Sequence, residues 1–386
     1  MDALLIPLIL DEVLEQVAVS CSLKSHFEGK FSTRDLFNCI LVNRTWCRVG
    51  IPKLWRSPFS TNYSSQFLPR NSKSQNILYT LFRSLKADDI KPLHQVGVTI
   101  ETPISRPLFP YARFLTGLYY QGLLETVEKL RSGLEHYRSY THRKLKRYKI
   151  YPEEKKVKLM PEEFDKLVLM MLLRHFALNS MEFSAIFISD HAFYGDRRLD
   201  LLYEDEFKDW FAKTKTFIFK GYLPQYVKFF KNISGIFNSL ERIGLFNHRR
   251  THMFREEEIR ACGLSIARFI LAQKNLSTLK ISERPGYTKY LIPFLTSQAD
   301  SLQEIEISFS NFADSFPWDG LATCKKLREL RFVKCQNVST EILKPMYAVD
   351  FPFLQKVKIL REEKKSKQTD QELVKLCTKL KGDIKK

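Results

Sequence analysis

The segment LSTLKIS, Leu276–Ser282, reads L-x-x-L-x-L, with apolar and polar side chains alternating after the first leucine. Such alternation is typical of a β-strand with one buried face. The pattern recurs as LQEIEIS from Leu302, LRELRFV from Leu327 and LQKVKIL from Leu354. The leading leucines are 26, 25 and 27 residues apart. Because chance rarely keeps such a register over three intervals, we predict that the C-terminal half is built from repeats.

Helical patterns lie between these segments, at 264–272, 290–296 and 341–348. One strand and one helix per repeat, stacked side by side, predict an α/β fold with a curved surface. Weaker copies begin upstream at Phe183, Thr214 and Leu240, and a candidate for an earlier copy begins at Leu93. The period falls in the range of leucine-rich repeats, which this half of the chain resembles.

Side chains at the outward positions of adjacent strands form a surface that does not pack into the core. We interpret this surface as a candidate substrate-binding face. The candidate residues there are Lys280, Glu304, Glu306, Arg328, Arg331, Lys356 and Lys358. Arg328 and Arg331 are predicted to form a pair that receives a carboxylate or phosphate. The alternative is an ordinary solvated strand face with scattered charges.

The N-terminal sixty residues predict two helices. Pro7 suits a first helical turn, and an apolar stripe of Leu10, Val13, Leu14, Val17 and Cys21 follows it. A second helix is predicted from Asp35 to about Val49, apolar round most of its circumference. So small a module buries too little surface to enclose such a helix. Part of this surface should therefore meet either the rest of the chain or another protein.

These residues resemble an F-box. The resemblance is carried by Ile6-Pro7, by the run from Cys39 to Cys47 with Val42, Asn43, Arg44 and Trp46, and by Leu54-Trp55. It implies a small helical domain that docks on a Skp-type adaptor and so joins a cullin–RING ubiquitin ligase. The residues matched to adaptor contact are Ile6, Pro7, Leu8, Val13, Leu36, Ile40, Val42, Trp46, Leu54 and Trp55. The alternative is that both tryptophans fill a local core.

We therefore divide the chain into an F-box domain at 1–60, a connector with early irregular repeats and a basic insertion at 61–175, and a leucine-rich-repeat-like domain at 176–386. A C-terminal helix after Arg361 is predicted to cap the last repeat. The whole resembles the F-box/leucine-rich-repeat class, which implies a horseshoe-shaped solenoid and a substrate receptor in ubiquitin-dependent protein degradation. The target protein itself is not indicated.

The formal net charge is +19, which favours acidic partners. Residues 129–158 hold eleven basic and three acidic residues, with four tyrosines interleaved. The competing hypothesis is therefore a repeat scaffold that binds nucleic acid or acidic partners through this run. A solvated helix or loop explains it equally simply, and no nucleic-acid-binding motif accompanies it.

The sequence indicates no enzyme and no cofactor, since the glycine-rich and nucleophile motifs of nucleotide-binding and hydrolytic enzymes do not occur. His175 is predicted to be a core or boundary residue, and Cys324 and Cys335 to be packing residues. His248 and His252 have helical metal-ligand spacing, but the neighbouring arginines argue against a metal. Seven cysteines without a CxxC motif predict reduced thiols in the cytoplasm or nucleus. The start predicts no signal peptide, and no window predicts a membrane span.

Overall fold

The structure is a computed structural model. It describes residues 5–20, 34–60, 73–100, 107–135, 150–152, 160–189, 199–247, 255–282, 286–312, 318–338 and 351–360. The chain divides into two compact units, Met1–Ala185 and Ile186–Lys386. The sequence had placed the start of the repeat domain at 176, inside the first of these units.

Three short helices begin the first unit: α1 at Leu5–Ser20, α2 at Arg34–Ile40 and α3 at Arg44–Leu54. The predicted single helix after Asp35 is wrong, because the chain leaves the helical path at Leu41 and Val42. Asn43 then starts α3 as its N-cap: its side-chain oxygen accepts from the backbone N–H groups of Thr45 at 2.9 Å and Trp46 at 3.0 Å. This satisfies two of the donors that a helix start leaves unpaired.

The break divides the apolar residues between two helices, each with its own buried side. The core of the three helices contains Leu10 and Leu14 of α1 and Leu36 of α2, with Trp46 and Leu54 of α3 packed against it. Gly50 allows α3 to approach α2 closely, since a Cβ there would lie 2.4 Å from Ile40 Cγ2.

The rest of the first unit is mainly helical. Its elements are α4 at Lys73–Phe82, α5 at Ala87–Gln95, β1 at Val98–Ile100, a 3-10 turn at Tyr111–Phe114, β2 at Gly117–Tyr119, α6 at Tyr120–Glu135, β3 at Ile150–Pro152 and α7 at Pro161–Asn179. The predicted early repeat at Leu93 is wrong: Leu93 lies in α5, and the following β1 pairs antiparallel with β3 in a separate two-stranded sheet. The apolar spacing there belongs to the buried side of a helix that contains Ile90 and Leu93.

Strands alternate with short helices in the second unit. Its elements are β4 at Ala185–Ser189, 3-10 turns at Asp200–Tyr203 and Asp205–Phe207, α8 at Lys208–Phe211, β5 at Thr216–Gly221, a 3-10 turn at Leu223–Tyr226, α9 at Val227–Ile233, β6 at Arg242–Asn247, α10 at Glu256–Leu271, β7 at Thr278–Ser282, α11 at Thr288–Leu291, a 3-10 turn at Ile292–Gln298, β8 at Glu304–Ser308, α12 at Asp319–Ala322, β9 at Glu329–Val333 and β10 at Lys356–Leu360. The helix predicted at 341–348 and the cap after Arg361 lie outside the described residues.

Within the second unit, the described strands of the main sheet lie in the order β4-β5-β6-β7-β8-β9-β10. Every pair from β5 to β10 is parallel, and equivalent repeat positions are in register: Leu279, Ile305, Leu330 and Val357 are partners across four strands. The prediction of an α/β chain with strands at the four C-terminal repeats, and at the copies from Phe183, Thr214 and Leu240, is confirmed.

Hydrogen bonds from buried glutamine side chains link successive repeats. Gln273 accepts from Leu240 N at 3.0 Å and donates to Phe237 O at 2.6 Å, so it links the turn before β6 to the one before β7. Gln298 repeats the arrangement, donating to Gln273 O at 2.9 Å. Both amides are buried, and their partners keep polar atoms satisfied inside the stack.

Candidate protein-docking surfaces

Helix α1 carries large apolar side chains on its exposed side as well as on its buried side. Leu10 and Leu14 point into the core, while Leu8 is 69 % exposed, Ile9 55 % and Val13 47 %. Ile9 and Val13 are one turn apart, and each precedes a core residue, Leu10 or Leu14, by one position, about 100° round the helix. The apolar stripe of α1 is therefore wider than its own core needs.

Helix α2 and the turn after it show the same excess. Leu36 and Ile40 are buried, whereas Phe37 is 49 % exposed, Leu41 68 % and Val42 61 %. Phe37 and Leu41 each follow a core residue, Leu36 or Ile40, by one position. We call the six exposed residues Leu8, Ile9, Val13, Phe37, Leu41 and Val42 the apolar face. Ile9, Phe37 and Leu41 are exposed but are not among the ten residues predicted from sequence, although an i, i+4 apolar pair beside a core pair signals such exposure.

The structure separates the ten predicted adaptor-binding residues into three groups. Leu8, Val13 and Val42 belong to the apolar face. Leu36 and Ile40 are buried, and Trp46 and Leu54 are half-buried against the core, so these four support the face from inside. The remaining three are Pro7, which is half-buried, Trp55, and Ile6, whose side chain lies outside the described residues.

Trp55 packs on Tyr111 of the same unit, with ring centroids 4.3 Å apart. Nearby, Arg56 O accepts from Thr116 N at 3.0 Å and Gly117 N at 2.9 Å. A Cβ at Gly122 of α6 would come within 2.3 Å of the Phe59 carbonyl oxygen. Helix α6 therefore packs directly against the backbone at Phe59. The end of the predicted F-box segment is thus built into its own unit, while the apolar face stays exposed.

A charge cluster fixes α1 on α3. The Lys53 side chain is 3 % exposed, and its Nζ lies 2.8 Å from both Asp11 Oδ1 and Glu15 Oε2. Arg56 Nη1 donates to Glu15 Oε1 at 2.6 Å. These hydrogen bonds, Arg56 first and then Lys53, lower the pKa of Glu15 to about 2, although partial burial acts against them. The helix that presents Leu8, Ile9 and Val13 is therefore held in a fixed orientation.

The outer face of the second unit follows from strand register. One row of partners runs Lys280, Glu306, Arg331, Lys358, and the next runs Thr278, Glu304, Glu329, Lys356. Six of the seven predicted substrate-binding residues lie in these two rows. Arg328, the seventh, precedes β9 and is out of phase with Arg331, so the predicted arginine pair does not share one face.

Ion pairs connect neighbouring strands across these rows. Arg331 Nε is 2.8 Å from Glu329 Oε1, and Arg331 Nη1 is 3.4 Å from Glu306 Oε2. Lys280 Nζ lies 3.9 Å from Glu306 Oε2, and Lys356 Nζ lies 2.7 Å from Glu329 Oε1. The hydrogen bond from Arg331, together with that from Lys356, lowers the pKa of Glu329 to about 2. Most charge in the middle of this face is already neutralised by the chain itself.

His175 is buried, as predicted for a core or boundary residue. Ser84 donates its hydroxyl proton to Leu81 O at 2.6 Å, so its oxygen accepts from His175 Nε2, 3.0 Å away. Asn179 Nδ2 lies 3.3 Å from the other ring nitrogen. Burial lowers the pKa of His175 despite the charge of Asp89. The serine is therefore an acceptor in a structural link, and the arrangement does not activate it as a nucleophile.

The other predicted sites are only partly visible. Most of the basic run at 129–158 lies outside the described residues, and so do His248 and His252. In the described part of the run, Arg131 Nε lies 3.0 Å from Oδ1 of the buried Asp165. Cys324 is buried, which raises its pKa to about 11, and Cys335 is half-buried. Among the described residues no cluster of metal-ligating side chains occurs. None of the described helices combines the length and apolar character that crossing a membrane requires.

Comparison with known proteins gives no further guide to these surfaces. The chain matches no protein-family profile, no characterised protein and no solved structure.

Proposed function

We propose that this chain is a non-catalytic substrate receptor of a Skp–cullin–F-box type ubiquitin ligase. In this proposal α1, α2 and α3 form an F-box that docks on a Skp-type adaptor through the apolar face. The outer sheet face of the second unit, in a leucine-rich-repeat-like arrangement, holds the target protein. The proposal places the chain in the cytoplasm or nucleus.

The observation that carries the proposal is the apolar face. Six large apolar side chains are exposed on helices that already have a packed core. Burying one such side chain stabilises a complex by about 1.5–3 kcal/mol before association costs. Large exposed apolar patches mark interaction surfaces, whereas singly scattered apolar residues need no explanation.

In this scheme the chain contributes position and no chemistry. The first unit recruits the ligase and the second recruits the target, so a lysine of the target meets the ubiquitin-charged enzyme at raised effective concentration. The Lys53 cluster and the Asn43 cap serve this role because they fix the helices that display the apolar face.

The test is co-purification of the full chain with a recombinant Skp-type adaptor. The variant Leu41→Asp/Val42→Asp puts two charges into the apolar face without touching Leu36 or Ile40 in the core. We expect it to lose the adaptor, because burying unpaired carboxylates opposes association. Trp46 is a poor target for mutation, since it packs on the core.

The matched control is Leu108→Asp/Leu178→Asp, in the same unit, where the two leucines are 83 % and 82 % exposed. This variant adds the same charge and should co-purify like the unaltered chain. Equal retention of the adaptor by both variants would reject the apolar face as the docking site. Failure of the unaltered chain to co-purify would reject the ligase role.

A further inference from the structure

A basic region remains at the end of the sheet after all ion pairs are assigned. Residues 323–333 and 351–360 contain six basic side chains and one carboxylate, Glu329. Glu329 is already engaged by Arg331 and Lys356. The other four cations, Lys325, Lys326, Arg328 and Lys358, are exposed, and within the described part of the chain none has an ion-pair partner. We call these four residues the basic patch.

The fold places the basic patch on adjacent elements. Lys325, Lys326 and Arg328 belong to the turn that leads into β9, and the Arg328 carbonyl accepts from Gln355 N at 2.8 Å and Lys356 N at 3.0 Å. Lys358 follows on β10, where it is the register partner of Arg331. Strands lie about 4.8 Å apart, so Arg328 lies beside the start of β10, and Lys358 lies further along β10 on the outer face.

Apolar groups accompany the patch. Phe353, in the turn before β10, and Leu360, the last residue of β10, are each about half exposed. The ligand that matches this surface therefore combines negative charge with apolar side chains. The residues that follow β10, 361–386, are net basic in sequence, with nine basic and five acidic residues.

A polypeptide fits the neighbouring strands better than a nucleic acid does. Glu304, on β8, is exposed and borders Arg331 and Glu329 across the rows. A phosphate backbone carries the same negative charge at every step and would meet this carboxylate, whereas a polypeptide can change sign from residue to residue. The large aromatic side chains Phe312, Trp318 and Phe332 are buried and cannot stack on bases, and Phe353 offers one half-exposed ring.

We infer that the basic patch is the target-binding site of the second unit, and that its ligand is an acidic polypeptide segment with interspersed apolar residues. This inference rests on the proposed role of the second unit as the part that holds a target. It assigns that role to the turn before β9 and to Lys358 on β10, and not to the ion-paired residues Glu306, Glu329, Arg331 and Lys356.

The test measures binding of a fluorescein-labelled peptide to the full chain by fluorescence anisotropy. The peptide is about twelve residues of glutamate with two leucines, long enough at ~3.3 Å per residue to cross several strands. A second peptide replaces each glutamate with glutamine. We expect the first peptide to bind, binding to weaken as salt rises, and the glutamine peptide to bind at least about tenfold less well.

The patch variant is Lys325→Glu/Lys326→Glu/Arg328→Glu. We expect it to weaken binding of the acidic peptide at least about tenfold, since it removes three attractive contacts and adds three carboxylates that repel the peptide. The control variant, Lys228→Glu/Lys231→Glu/Arg268→Glu, makes the same charge change at exposed positions on α9 and α10. It should leave affinity within about twofold of the unaltered chain.

Three outcomes would overturn the inference: no binding of the acidic peptide, equal weakening by both variants, or tighter patch-dependent binding of a single-stranded oligonucleotide of similar length. The last would assign the patch to nucleic acid. Failure of this inference is distinguishable from failure of the proposed ligase role, because adaptor co-purification depends on the apolar face and peptide binding on the basic patch.

Discussion

Lys53 is a cation in a core position, and its partners are more exposed than it is. Its side chain is 3 % exposed, whereas those of Asp11 and Glu15 are 60 % and 30 % exposed. Removing the charge of Lys53 and removing the charges of Asp11 and Glu15 should therefore destabilise the fold to different degrees. Removing the two acidic side chains leaves the buried Lys53 ammonium group without its carboxylate partners. Removing the lysine leaves carboxylates that water and Arg56 can still reach.

This asymmetry predicts unequal effects of mutation on stability. Asp11→Asn/Glu15→Gln should lower the free energy of unfolding by about 2–4 kcal/mol, and Lys53→Met, which keeps the side-chain volume, by less than about half of that. Urea denaturation of the full chain, followed by circular dichroism, measures both. A larger loss for Lys53→Met than for the double variant would contradict this account of the cluster.

The lowered pKa of Glu15 adds a prediction about acid. A carboxyl group whose folded-state pKa lies below its ordinary value stabilises the fold above that ordinary value and loses the effect as pH falls. The stability difference between the unaltered chain and Glu15→Gln should therefore be full above about pH 4.5 and shrink toward pH 2. Denaturation midpoints of both proteins across this range test it. A difference independent of pH would show that Glu15 acts through packing alone.

At the scale of elements, the break between α2 and α3 decides which apolar residues face outward. The end of α2 at Ile40 puts Leu41 and Val42 in a turn, where neither helix buries them. Asn43 then restarts the helix through two backbone N–H groups. The cap thus links local structure to the proposed docking surface.

Asn43→Ala should remove both cap hydrogen bonds and destabilise the first unit by about 1 kcal/mol, with a range of roughly 0.5–2 kcal/mol. Asn43→Asp keeps an accepting oxygen and should stay close to the unaltered stability. Thermal unfolding of the three proteins provides the comparison. If alanine and aspartate lower the midpoint equally, the cap does not hold the start of α3.

The strand elements were predictable, and the reason is visible in single residues. Leu276, Leu302, Leu327 and Leu354 are buried, and so are the alternating apolar residues after them except the half-buried Ile359, because one face of each strand forms the core. The segment at Leu93 shows the limit of this reasoning. Spacings of three and five residues fit a helix as well as a strand, and Pro92 is tolerated within the nine-residue α5.

Sequence alone separated the outward residues from the inward ones but could not show which charges meet. That depends on register: Arg331 lies between Glu306 and Lys358 only because β8, β9 and β10 are parallel and in step. The same applies to the N-terminal helices. Val42 was identified as a contact residue, while Leu36 and Ile40 fit the same apolar pattern and are buried.

At the scale of the whole molecule, the two units carry different kinds of surface. The first displays six exposed apolar side chains on α1 and at the end of α2. The second displays ion-paired charged rows on its strands and, beside them, the basic patch, whose four cations have no ion-pair partner among the described residues. One surface suits a permanent, largely apolar interface, and the other suits a reversible, salt-sensitive one. This difference matches a receptor that stays on its ligase and exchanges its targets.

The most direct measurement of the central claim is calorimetric titration of the full chain with a purified Skp-type adaptor at several temperatures. Burial of the apolar face predicts saturable binding, with a dissociation constant of about 1 µM or tighter and a negative heat-capacity change. No saturation at adaptor concentrations of about 100 µM, or binding without a heat-capacity change, would contradict the claim that an adaptor covers Leu8, Ile9, Val13, Phe37, Leu41 and Val42.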